Sequence, residues 1–129
     1  MLSSPVRVGR QIMTPSRRIH LEGAKNVRDV GGHFTHAGSQ VRWRTLFRAD
    51  SLHRLSDLDQ RMLVQEHRIR TVIDLRWNHE CAESPNVFCA SDRVSYRWIP
   101  LLPEPQPGVA FPYRSLSQLF SIALDTRSE

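Results

Sequence analysis

The stretch TLFRADSLHRLSDLDQRMLVQEHRIRTVIDLR, residues 45–76, holds two short apolar runs on either side of one segment of helical periodicity. TLFRAD, residues 45–50, has the composition of a strand. SDLDQRMLVQEHR opens with Ser56 and places Asp59 three positions on, the pattern of a capping box. Leu58, Met62 and Leu63 recur on one face of that helix while Asp57, Gln60 and Arg61 face away, and the pattern ends near His67 and Arg68. TVIDL then follows as a β-branched run of the kind that forms a buried strand. Strand, helix and strand in this order predict a parallel crossover unit with residues 45–50 and 71–76 as neighbours.

That geometry places Arg48 and Asp50, then Asp74 and Arg76, at the carboxyl ends of two strands, where open α/β sheets hold ligands. Guanidinium groups paired with aspartates at such an edge suit a phosphate or carboxylate and a proton to be moved. The same pairs also serve as ordinary ion pairs that tie loops together, the commoner use of such neighbours.

Working outward, NVRDVGG, residues 26–32, reads as a short strand over 27–30 closed by Gly31 and Gly32. HFTHAGSQVRW continues as a hairpin-like excursion with Ala37 and Gly38 at its turn. Beyond Arg76, WNHECAESP predicts a short helical turn stopped by Pro85, and VSYRWIPL a further strand with Tyr96 and Trp98 on its apolar side. PEPQPG cannot continue a sheet. Leu116, Leu119, Phe120 and Leu124 repeat at helical spacing near the end of the chain.

The 129 residues suit one domain, with 40% hydrophobic and 24% charged residues, and no apolar run approaches the roughly 20 residues that span a bilayer. Residues 1–20 are basic and free of acids, a composition shared by organelle transit peptides and disordered tails, and with Pro5 and Pro15 interrupting any helix the expectation is a disordered or loosely docked extension to a domain over 21–129. This stretch lacks the continuous apolar core of a secretory signal. A soluble, cytoplasmic protein is the expectation.

Of the eighteen basic side chains only Lys25 is a lysine, and the net charge is +5. The arginines are interleaved with acids along the chain, which disfavours a nucleic-acid partner. Cys81 and Cys89 are spaced too widely for a C-x-x-C pair, and the six histidines show no ligand spacing, so neither a metal nor another cofactor is expected.

Three ordered blocks carry a resemblance: LEGAKNVRDVGG from residue 21, VRWRTLFRADSLHRLSDLD from 41 and IRTVIDLRWNHE from 69. Together they resemble the amino-terminal half of the tyrosine-phosphatase-like family of bacterial and fungal phosphatases with dual protein and lipid specificity. Members look like N-F-R-D-L-G-G, L-F-R-S-D-x-L and T-V-I-D-L-R-x-x-x-E in that order. The match runs from Leu21 to Glu80 and more weakly to Pro103.

The resemblance implies an α/β fold of the cysteine-phosphatase type, a layered, mostly parallel sheet with flanking helices, present here in incomplete form. It implies phosphorylated protein or phosphoinositide as substrate, with Arg48, Asp50, Asp74 and Arg76 lining the pocket. Asn26, Arg28, Asp29, Gly31 and Gly32 would be a structural motif, with Arg28 and Asp29 as a scaffolding ion pair, and Asp59 a helix-start carboxylate. Arg76 is alternatively held by Glu80 across one helical turn.

Such an enzyme needs a thiolate to attack phosphorus, an arginine and backbone N–H groups to hold the phosphoryl oxygens, and an acid for the leaving alcohol. In the family these parts lie in one H-C-x5-R loop. Six positions after Cys81 stands Val87, and six after Cys89 stands Ser95, so this chain lacks that loop. The expectation is a truncated phosphatase-family chain, inactive alone. The alternative is a non-catalytic module that binds a phosphorylated ligand, or a partner chain that completes its sheet.

Overall fold

The computed structural model describes residues 15–110. The helix expected near residues 116–124 and most of the basic extension lie outside these residues. Four short strands and two short helices alternate: β1 (Arg28–Asp29), β2 (Phe47–Arg48), α1 (Asp57–Arg61), β3 (Thr71–Asp74), α2 (Asn78–Glu83) and β4 (Ser95–Trp98). α1 continues directly into a wider π turn, Met62–Glu66.

The expected pairing of residues 45–50 with 71–76 does not form. β2 pairs antiparallel with β1, with Arg48 opposite Arg28 and Phe47 opposite Asp29, whereas β3 pairs in parallel with β4. Among the described residues the α/β architecture therefore consists of one antiparallel and one parallel pair rather than a single, mostly parallel sheet. The parallel crossover thus starts one strand later and runs β3, α2, β4.

NVRDVGG folds as its glycines require. Gly32 has φ +81°, and a side chain at Gly31 would bring its Cβ within 2.6 Å of the Trp43 Cα. The Asp29 carboxylate accepts the N–H of Gly31 at 2.7 Å and, from the returning arm, that of Arg44 at 2.7 Å. Arg44 has φ +58°, a conformation that non-glycine residues adopt at a cost, and the Asp29 contact holds it there. The partners of Asp29 are thus two amides, while Arg28 points to solvent. The excursion over residues 33–43 is a hairpin, with Phe34 bridged to Gln40 and Gly38 at φ +83°.

The capping box forms: Ser56 Oγ accepts the Asp59 N–H and the Asp59 carboxylate accepts the Ser56 N–H, both at 3.2 Å. The buried face differs from the expected one, because Leu58 is exposed while Leu55, Asp59 and Leu63, spaced four apart, turn inward. Asp59 determines that rotation. Its carboxylate also accepts the N–H groups of Glu22 at 2.9 Å and Gly23 at 2.8 Å, clamping the loop before β1 onto the start of the helix.

β3 is likewise not buried on both faces. Val72 and Asp74 point in, whereas Thr71 and Ile73 point out. The interior is a single apolar cluster of Ile19, Ala24, Val27, Leu55, Leu63, Val72, Phe88 and Val94. Val72 of β3 and Leu63 of the π turn belong to it, and Phe47 of β2 and Tyr96 of β4 pack against it, so the two small sheets share one core. Among the described residues no helix is long and apolar enough to cross a membrane.

Candidate functional site

Asp74 ends β3 and is the centre of the most heavily bonded polar cluster. Arg76 grips it bidentately, Nε to Oδ1 at 3.0 Å and Nη2 to Oδ2 at 2.8 Å, and adds its own backbone N–H at 3.2 Å. The Tyr96 hydroxyl donates to Oδ2 at 3.0 Å from β4, and Asn86 Nδ2 approaches the same oxygen at 3.4 Å. The parallel register makes this reach possible, since Tyr96 stands opposite Val72, two residues before Asp74 on the same inward face.

Burial pushes the Asp74 carboxyl up, but the Arg76 and Tyr96 hydrogen bonds and the Arg76 charge outweigh it and bring the pKa down to about 2. The carboxylate is ionised at neutral pH and has no proton to give a leaving group. Burial and the hydrogen bond to Asp74 push the Tyr96 phenol well above its ordinary range. Both groups are fixed in one protonation state.

Arg76 is equally committed. Its Nη1 donates to the carbonyls of Ser84 at 2.9 Å and Glu80 at 3.5 Å, so the fork ties β3 to α2. The contact expected from Glu80 is made by its backbone oxygen, because the Glu80 carboxylate accepts the Trp77 N–H at 2.8 Å. Trp98 Nε1 donates to the Arg76 carbonyl at 2.9 Å, which closes the cluster from β4.

Arg48 and Asp50 lie on and just after β2, in the other strand pair, and are not brought together with Asp74 and Arg76 by any shared ladder. Asp50 Oδ1 accepts the Lys25 N–H at 2.7 Å and fixes the loop at Asn26, whose φ is +55°. Arg48 and Arg28 are exposed. Asn26, Arg28, Asp29, Gly31 and Gly32 build the turn that presents this ribbon.

Cys81 on α2 is half-buried, and burial together with the nearby Asp74 charge raises its pKa above the ordinary thiol value, which disfavours the thiolate that nucleophilic attack requires. Cys89 is exposed in the loop before β4. Among the described residues no group of three or more His, Cys, Asp and Glu side chains is placed to hold a metal ion. Two open clefts of about 450 and 550 Å³ lie along α1 and the π turn, lined among others by Gln60, Phe88 and Arg93 and by Arg68 and Arg70. Neither includes the Asp74 cluster.

Three partners of this cluster escape a reading of the sequence alone. Tyr96 and Trp98 look like apolar strand residues, and only the register with β3 shows that their polar atoms serve Asp74 and Arg76. Asn86, just after Pro85, carries no local signal beyond its place in a turn.

No curated protein sequence matches the chain. Residues 19–127 do match the sequence pattern of the tyrosine phosphatase family, a span that takes in the NVRDVGG turn, β2, the Asp59 clamp and the Asp74 cluster and extends beyond the three blocks quoted above. The chain belongs to the tyrosine phosphatase family.

Proposed function

We propose that this chain is the scaffold portion of a cysteine-dependent phosphoric monoester hydrolase and that these residues do not turn over substrate by themselves. In the reaction class, a thiolate displaces the alcohol from phosphorus and water then cleaves the cysteinyl phosphate. The observation that carries the reading is the state of both thiols: neither has an arginine six positions on, and Cys81 is held toward its protonated form. Asp74 and Arg76 then act as a structural latch that fixes β3, α2 and β4. Their mutual commitment supports that role over direct contact with phosphate. Hydrolysis of p-nitrophenyl phosphate tests the proposal; turnover that disappears in Cys81→Ser or Cys89→Ser would overturn it.

A second reading, a non-catalytic module for phosphorylated ligands, is favoured by the free guanidinium groups of Arg28 and Arg48, exposed among the described residues with no carboxylate in ion-pair range. Shifts of their NMR signals on titration with inorganic phosphate would support it, and unchanged signals at millimolar phosphate would count against it.

A further inference from the structure

Arginines far apart in the sequence meet in one row. Arg18 bridges Arg28 in antiparallel fashion, and Arg28 stands opposite Arg48 on the β1–β2 ladder. The hydrogen bonds from Ile19 N to Val27 O at 2.9 Å and from Asp29 N to Arg17 O at 2.8 Å make Arg18 and Arg28 a non-hydrogen-bonded pair, the closer kind. Directly opposed residues share one face, so three guanidinium side chains leave the same side of a three-segment ribbon from Cα atoms spanning about 10 Å.

All three are exposed, and the ion pairs among the described residues are Arg76 with Asp74 and His79 with Glu104. Like charges directly opposite one another destabilise a ladder. The arrangement therefore costs stability until an anion enters between the arginines. Strand alternation puts Leu46, exposed, on the same face two residues before Arg48, and Asp50, exposed in the bend just beyond β2 with Oδ1 on the Lys25 N–H, borders the other end. The positive strip is thus short, with an apolar side chain at one margin and a carboxylate at the other.

We infer that Arg18, Arg28 and Arg48 form a docking row for a short acidic segment of a protein partner, with Leu46 receiving an apolar side chain beside its carboxylates. Arginine forks match carboxylates bidentately, and the footprint takes two or three of them. A nucleic acid or a membrane presents anions over a wider area and would press them against Asp50.

The test is fluorescence anisotropy of the full chain with a labelled peptide alternating glutamate and leucine, against a control with glutamine in place of glutamate. Saturable binding of the first, absent for the second and weakened by salt, is expected. Arg28→Glu should weaken binding at least about tenfold, a loss of about 1.4 kcal/mol. Its thermal midpoint should hold or rise, because the new carboxylate stands between Arg18 and Arg48. Arg18→Gln, at the outer segment, should weaken binding without touching the β1–β2 pair. No peptide binding, equal binding by both variants, or tighter binding to phosphatidylserine vesicles or an oligothymidine overturns the inference. Peptide binding is read without turnover, so its outcome is independent of the phosphatase proposal.

Discussion

The carboxylate of Asp59 accepts the backbone N–H of Gly23 at 2.8 Å, across 36 residues of sequence. The N–H groups of Glu22 and Ser56 complete the set, so one side chain completes the capping box of α1 and anchors the loop that leads into β1. Asp59→Ala should cost about 2–4 kcal/mol, beyond an ordinary cap, because it orphans several donors at once. Urea denaturation followed by circular dichroism measures it. A loss below about 1 kcal/mol would mean that the loop finds other partners.

Gly23 is fixed by the same clamp. A Cβ there would stand 1.9 Å from the Arg54 carbonyl oxygen, a backbone atom that cannot move aside cheaply. Gly23→Ala should therefore destabilise by at least about 2 kcal/mol, against the small gain that the same change gives at an unhindered site. Gly38→Ala is the control at a position with open space around it, where the cost comes only from φ +83° and should stay near 1 kcal/mol. Thermal melts of the two variants should separate them clearly.

What the sequence made legible was local. The capping box of Ser56 and Asp59, the turn at Gly31 and Gly32, and the hairpin around Gly38 are each specified by side chains within a few residues, and each is present. Strand partnership is a long-range property, and residues 45–50 carry nothing that chooses between β1 and β3. The inward turn of Asp59 and the exposure of Leu58 follow from a loop 36 residues upstream, which helical periodicity cannot register. Likewise the basic, acid-free composition up to His20 conceals Ile19, a member of the core, and Arg18, a member of the ribbon.

Arg76 and Asp74 should behave as one unit. Removing the guanidinium in Arg76→Leu leaves a carboxylate that is almost fully buried with only Tyr96, Asn86 and the backbone N–H of residue 76 beside it, at a cost of about 3 kcal/mol. Adding Asp74→Asn should restore part of that loss, since the uncompensated charge is gone. A double-mutant cycle by chemical denaturation reads the coupling. Strictly additive losses would show that the latch is not a pair.

The same latch predicts how stability depends on acid. The Asp74 pKa lies at about 2 in the folded chain against an ordinary value of 3.8, and that of Asp59 is also lowered, with burial opposing and the Glu22, Gly23 and Ser56 hydrogen bonds prevailing. A group depressed on folding stabilises the native state fully above its unfolded value, and that stability is lost as pH falls through the folded one. For Asp74 this amounts to about 2 kcal/mol at neutral pH, drained between roughly pH 5 and pH 2. His79, paired with Glu104 at 2.7 Å on the surface, is raised by that hydrogen bond, so its contribution is present below the ordinary histidine value and fades as pH rises through the folded one. Denaturation midpoints from pH 7 down to pH 2 should fall in the acid limb for the native chain and fall less for Asp74→Asn. An unchanged acid limb in that variant would assign the acid sensitivity to other carboxylates, Asp59 first.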